Sequence, residues 1–346
     1  MNKQLKARSP AKLILSGEHS VVYGMPAIAL AIDCFAESTI KSSSAPQFSP
    51  KIFFNFLNLE YARSFTVSTL HGLKQRILEQ YHAFLEGNCT IREVLKMPFE
   101  LLQFTVSNLL ETAHIPLSHG VEIRTVSNIP IGCGMGSSAA TVMSTLFALA
   151  HFFNIDIDTA KYLTLGKEAE NLQHGRSSGL DLQLALRGGC LRFQDGNYSN
   201  RTLPRFPITI VHTGKPEATT GQCVSATAVH FENSHIAFDF KAVTNALEQA
   251  LENNDIISLC HAIRENHKLL VNIGVVPQRI QDFIAAIEKE GGAAKICGAG
   301  SVQGESGGVV WVLGPEGISE NILKHINQYG YTHQTVVGDT LGTRIV

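Results

Sequence analysis

The chain has 346 residues, 44% hydrophobic and only 17% charged, with a formal net charge of −2; much of it must be buried, and scattered Lys and Arg offer no basic stripe for nucleic acid. Seven cysteines, at 34, 89, 133, 190, 223, 260 and 297, form no C-x-x-C pair, which argues against a disulfide framework or a zinc site and suits a reducing, cytoplasmic setting. The length allows two domains with substantial cores.

In chain order, strands are predicted near 12–15, 27–32 and 37–41. The basic start leads only into Leu13-Ile14-Leu15, too short for the apolar core of a signal peptide. A Ser/Pro-rich loop follows at 42–50. Apolar residues recur at helical spacing over 70–85 and 99–113, the second with Leu101, Leu102, Phe104, Val106, Leu109 and Leu110. Strand 120–125 places Val121, Ile123 and Thr125 on one face and Glu122 and Arg124 on the other.

That strand delivers PIGCGMGSSAA at 130–140. Gly132, Gly134 and Gly136 let the backbone curl its N–H groups toward one point, and the apolar run 139–153 then reads as a buried helix. With Thr141, Ser144, Thr145 and His151 in it, that run falls short of the roughly 18–20 residues a membrane span needs. Ser137 and Ser138 fall in the first turn, where hydroxyls cap free N–H groups or reach a metal on phosphate, and Ala139 adds its amide. The spacing fits neither the Walker loop nor the dinucleotide motif. Alone, it suits a phosphate cradle or a glycine turn with a serine cap before a core helix.

A helix over 157–173 carries Glu170 and His174 one turn apart and ends at Gly175. Polar 197–206 marks a boundary between domains 1–206 and 207–346. The second half shows helical patterns at 238–254, 255–272 and 276–290, and strands at 293–297, 308–313, 331–337 and 342–346. Helix pairs on an antiparallel sheet give an α+β layer.

Four ordered segments carry a resemblance. They are PAKLILSGEHSVVYGMPAIALAID at 10–33, the glycine loop at 130–140, EAENLQHGRSSGLDLQLALRGG at 168–189, and KICGAG at 295–300. Together they resemble the motifs of the GHMP kinases, the first in its G-E-H-x-V-V-Y-G form and the third as E-x-x-x-H-G-x-P-S-G-x-D. NHKLLVNIGV at 266–275 echoes a further family helix. The resemblance implies a two-domain α+β fold, with an N-terminal domain like ribosomal protein S5 domain 2, a ferredoxin-like C-terminal domain and a cleft between them.

It also implies ATP and Mg²⁺ as cofactors and a small-molecule acceptor, mevalonate, phosphorylated to 5-phosphomevalonate on the route to isoprenoids. The alternatives are another small hydroxylated or phosphorylated acid such as phosphomevalonate, or a ligand sensor without catalysis. No nucleic acid or membrane partner is expected, and a homodimer is left open. By position, Asp181 is the expected general base and Lys12 the cation beside it. Ser138 and Glu170 are the expected Mg²⁺ ligands, while Gly132, Gly134, Gly136, Ser137, Ser138 and Ala139 cradle the nucleotide. Glu18, His19, Gly298 and Ala299 shape the substrate pocket.

This chain departs from the family pattern in three places. Ser177-Ser178-Gly179 replaces P-S-G, the last glycine loop runs on as SVQGESGGVV, and KPEATTG at 215–221 replaces an R-S-T segment. Glu217 stands where that Arg would align, which leaves Lys215 and His19 to meet a substrate carboxylate.

Overall fold

The computed structural model describes residues 3–42, 50–232 and 235–346; most of the loop expected over 42–50 lies outside them. The first half runs β1 (Gln4–Ser16), β2 (Ala27–Ser42), β3 (Lys51–Phe56), β4 (Tyr61–Thr66), α1 (Val67–Leu85), α2 (Ile91–Val94), α3 (Glu100–Thr112) and β5 (Val121–Ser127). It continues through α4 (Ser137–Phe153), α5 (Thr159–His174), α6 (Leu180–Arg187), β6 (Cys190–Gln194) and β7 (Asn197–Arg201). The second half comprises β8 (Ile208–His212), α7 (Thr220–Glu232), α8 (Ile236–Glu252), α9 (Ile256–Asn272), α10 (Gln278–Lys289), β9 (Ala293–Cys297), β10 (Val309–Leu313), α11 (Glu320–Gln328), β11 (Thr332–Val336) and β12 (Arg344–Ile345).

β1 and β2 pair antiparallel along nearly their whole length and form the spine of the first sheet. The three short strands expected here are two long ones. In β2, residues 27–32 are buried on both faces while 33–42 mostly alternate, so one strand changes its hydrophobic period midway. The ladder shifts register between Pro10 and Ala11, where proline's missing N–H suits a bulge.

The sheet order is β12-β1-β2-β5-β3-β4, with β6 joining β2 and β7 joining β6. Thus the last strand of the chain returns to β1, and part of the segment expected to be a linker at 197–206 is strand β7. Asp195 and Gly196 turn that hairpin, both at positive φ, as a two-residue loop requires. The second sheet is antiparallel in order β11-β8-β10-β9.

Helices α1, α4 and α5 enclose α3, whose residues 100–110 are all buried. The hydroxyl of Ser38 on β2 meets those of Ser144 and Thr145 on α4 at 2.8 and 2.9 Å, satisfying three buried polar groups where the helix crosses the sheet. One apolar cluster joins Leu13, Leu15, Ile28 and Leu30 of the first sheet to Ile210, Trp311, Leu247 and Leu259 of the second half. This shared core fixes the two glycine loops against each other. Among the described residues no helix is long and apolar enough to cross a membrane.

Candidate active site

β5 leads into the first glycine loop, and α4 begins directly after it. Its N-cap is Gly136, in the left-handed conformation at φ 69°, and no side chain caps the helix. Ser137 and Ser138 therefore leave the first-turn N–H groups of α4 open to an outside acceptor, which also gains from the helix dipole. A Cβ on Gly136 would lie 2.9 Å from Lys12 Cγ and 3.5 Å from Asp181 Oδ2, so only glycine lets the loop turn this close to both side chains.

Lys12 and Asp181 form an ion pair, Nζ to Oδ1 at 2.6 Å, with side chains 12% and 27% exposed. The Lys12 amide donates to the Met135 carbonyl at 2.9 Å, which stitches β1 to the loop. Asp181 stands in the first turn of α6, after the left-handed Gly179. The Ser-for-Pro change before it is offset locally, because Ser177 Oγ accepts from the Gly179 amide at 3.2 Å and Ser178 Oγ from the Leu180 amide at 3.3 Å.

Glu170 of α5 is buried, and the neighbouring Ser138 hydroxyl favours its charged form. Burial, reinforced by the charge of Asp181, pushes its carboxyl up to about 7. His174, one turn later, places Nε2 3.6 Å from Glu170 Oε2, while Oε1 is buried without a hydrogen-bond partner. A buried carboxylate oxygen left unpaired is costly unless something else meets it.

A divalent cation fits this donor set in chemistry: one carboxylate and one hydroxyl, both hard oxygens. Among the described residues no group of three or more His, Cys, Asp or Glu side chains could hold a metal, so an ion here would need most of its ligands from water and a bound polyanion. That is the usual state of Mg²⁺ on phosphates.

The second glycine loop follows β9. A Cβ on Gly134 would lie 3.2 Å from the Cys297 carbonyl oxygen, and one on Gly298 would lie 3.4 Å from Gly134 Cα, so the two loops touch backbone to backbone. His19 fixes this junction. Its Nε2 is 3.0 Å from the Ala299 carbonyl and its Nδ1 3.4 Å from Thr227 Oγ1 on α7. Burial pushes the imidazole down to about 4, so at neutral pH it is uncharged, and Nε2 must carry the proton it shares with the carbonyl.

Several expected placements change. His19 was expected to donate to a substrate, but its donor is taken by Ala299 and its ring is buried. Glu18 was expected in the substrate pocket; it pairs instead with Lys295, both side chains buried, and Lys295 also donates to the Ile296 carbonyl at 2.8 Å. An ammonium with no exposed surface needs a counter-ion, and Glu18 supplies it. Asn266, within the α9 motif, donates to Ser16 Oγ at 2.7 Å, and that hydroxyl meets Thr244 Oγ1 at 2.7 Å.

Lys215 and His19 were the two candidates for a substrate carboxylate, and they stand on different loops. The Lys215 stem lies over the first glycine loop, where a Cβ on Gly132 would come within 2.9 Å of its Cε. Glu217 turns its carboxylate onto Gly304 of the extended last loop. Lys12, Ser138, Glu170 and Asp181 do converge, as the family resemblance implied. Sequence reasoning assigned no part to Thr227 or Lys295. No helix was expected at 220–232, and nothing in a lysine's local sequence announces complete burial.

Comparison with known proteins is consistent with this arrangement. The model of the GHMP kinases N terminal domain matches residues 100–189, and that of the GHMP kinases C terminal matches 247–304. A mevalonate kinase of Thermococcus sibiricus is 30% identical over 328 residues, covering 91% of this chain and 90% of its own. A mevalonate kinase of Thermococcus onnurineus is 30% identical with the same coverage. The crystal structure of the Methanococcus jannaschii mevalonate kinase superposes with a TM-score of 0.79 at 23% identity, covering 98% of each chain.

Proposed function

The chain belongs to the GHMP kinase family, and from that premise we propose that it transfers the γ-phosphoryl group of ATP to the hydroxyl of mevalonate, giving ADP and 5-phosphomevalonate. The observation that carries this reading is the convergence of the Lys12–Asp181 pair on the uncapped start of α4. In it, the amides of the first glycine loop and of Ser137, Ser138 and Ala139 hold the phosphates. Ser138 and Glu170 hold Mg²⁺, which when bound neutralises charge on the phosphate oxygens.

The acceptor hydroxyl lies between Asp181 and the γ-phosphorus. Its oxygen forms the new P–O bond, its proton passes to Asp181, and the bond from the γ-phosphorus to the bridging oxygen breaks to release ADP. Lys12 stabilises negative charge on the entering oxygen and orients Asp181. Gly298 and Ala299, held by His19, border the acceptor side. Division at 206/207 assigns the first sheet to the nucleotide domain, apart from the returning β12.

Mevalonate is favoured by the Val-Val-Tyr form of the first motif and by the names of the relatives at 30% identity. Glu217 and the longer last loop favour a second reading, a kinase for another small acid such as phosphomevalonate. The test is ADP release by purified protein with ATP and Mg²⁺, offered mevalonate, phosphomevalonate, homoserine or galactose in turn. Turnover with mevalonate at least tenfold above the others supports the proposal. Preference for any other acceptor replaces it, and ATP binding without transfer to any of them points to a sensor.

A further inference from the structure

We propose that Lys215 is a nucleotide-binding residue, its ammonium meeting the phosphates of ATP at the first glycine loop instead of the acceptor's carboxylate. This rests on the kinase reading above and adds to it a cation from the second half of the chain. Three observations carry it.

The first is position. The stem of Lys215 lies against Gly132, where a Cβ would come within 2.9 Å of Cε and 3.5 Å of Cδ. Its charge is also felt by the neighbouring Cys133, whose thiol burial pushes up and Lys215 draws back down. Gly132 begins the loop that curls toward the start of α4.

The second is anchoring. Lys215 is exposed, but the strap carrying it is held at both ends. Thr213 donates through its amide and its hydroxyl to the Gly308 carbonyl, both at 2.9 Å, and the Gly307 amide donates to the Thr213 hydroxyl at 3.1 Å. On the other side, the Ala218 amide donates to Ser301 Oγ at 3.2 Å. The strap therefore presents one long cation from a fixed base, which lowers the entropy lost when it meets an anion.

The third is charge balance. At the start of α4 the cluster holds one cation, Lys12, already bound to Asp181, and the further carboxylate of Glu170. When all three are ionised, the sum is one positive and two negative charges, so these three side chains by themselves repel a triphosphate. Mg²⁺ and the open amides of α4 would offset part of that, and a further cation adds to the attraction. Glu217, two residues on, is turned onto Gly304, and among the described residues Lys215 has no carboxylate partner.

The test compares the parent protein with Lys215→Ala and Lys215→Arg, measuring affinity for Mg·ATP, Mg·ADP and AMP by calorimetry, alongside KM for the acceptor. Lys215→Ala should weaken Mg·ATP and Mg·ADP about ten- to a hundredfold, the range for a hydrogen bond to a charged group. AMP affinity and the acceptor KM should be unchanged, and Lys215→Arg should recover most of the loss. A raised acceptor KM with unaltered nucleotide affinity would return Lys215 to the carboxylate. Unchanged affinity for all three nucleotides, or equal weakening of all three, would equally overturn the assignment. If the parent binds Mg·ATP through Lys215 but ignores mevalonate, the acceptor reading fails and this inference stands; if it binds no nucleotide, both fail.

Discussion

Two lysine–carboxylate pairs stand at the two glycine loops, and they differ in what surrounds them. Lys12 and Asp181, at the first loop, remain partly open to solvent and have an unpartnered carboxylate oxygen, that of Glu170, in the same cluster. Lys295 and Glu18, at the second, are sealed, and the lysine donates to backbone as well. An accessible pair can exchange its proton and partner with an incoming alcohol. A sealed pair cannot be reached; its work is to hold β9 against the end of β1, and with His19 it sets where the second loop meets the first.

The contrast breaks first under substitution of the accessible carboxylate. Asp181→Asn keeps the shape but cannot take up the alcohol's proton, so kcat should fall by roughly 10²–10⁴, with Mg·ATP affinity within about twofold of the parent by calorimetry. The sealed pair should fail in the other observable. Glu18→Gln leaves Lys295 buried without a counter-charge, and denaturant unfolding should show a loss of about 3–5 kcal/mol.

Acid sharpens the same distinction. His19 at the second loop and His267 on α9 are each pushed down to about 4, chiefly by burial, with Lys295 adding to the effect on His267. Unfolded imidazoles take up protons near 6.5, so between that pH and about 4 the unfolded chain binds more protons than the folded one. Their contribution to stability is complete above pH 6.5 and is lost as pH falls toward 4, approaching about 3 kcal/mol for each histidine. Melting curves across pH 4–7 should show this loss, and His267→Gln should make the slope shallower.

The smallest effect concerns the metal. Ser138→Ala and Glu170→Gln should each raise the Mg²⁺ concentration giving half-maximal rate several-fold, each removing or weakening one oxygen ligand. Because burial and Asp181 raise the Glu170 carboxyl to about 7, the parent should also need more Mg²⁺ as pH falls below that value, protons competing for the same oxygen. Mg²⁺ titrations at pH 6 and pH 8 that superimpose would remove Glu170 from the metal site.

What could be read from the sequence follows a physical division. Glycine loops, their flanking strands and the long apolar helices announce themselves locally: β9 was expected at its observed bounds, and the helices now seen as α4, α5, α9 and α10 within about two residues. The β3–β4 hairpin did not, although Ile52, Phe54 and Phe56 alternate inward, because its partner β4 is mostly exposed and polar. The β6–β7 hairpin carried an Asp-Gly turn signal at 195–196, obscured by the polar run of β7. Short helices escaped too: α11 buries only Ile322 and Ile326.

Within the site, the residues that converge lie in separate motifs, and each motif has its own local chemistry. What could not be read was which neighbour uses a donor. The sequence around His19 is the same whether its Nε2 faces a substrate or the Ala299 carbonyl; only the approach of a loop 280 residues away decides it. Lys215 shows the same limit. Its charge was evident, but its loop was not.

If the accessible pair reacts while the sealed pair holds, substitution in the two pairs must separate turnover from stability. The direct test is to measure kcat and unfolding free energy side by side for Asp181→Asn and Glu18→Gln. The structure predicts a crossing: Asp181→Asn loses turnover and keeps its stability within about 1 kcal/mol, since one partner of a partly exposed pair contributes little to folding, whereas Glu18→Gln loses stability and, below its unfolding transition, retains kcat within about tenfold. A Glu18→Gln protein that folds as stably as the parent yet cannot turn over, or an Asp181→Asn protein with near-parental kcat, would contradict it.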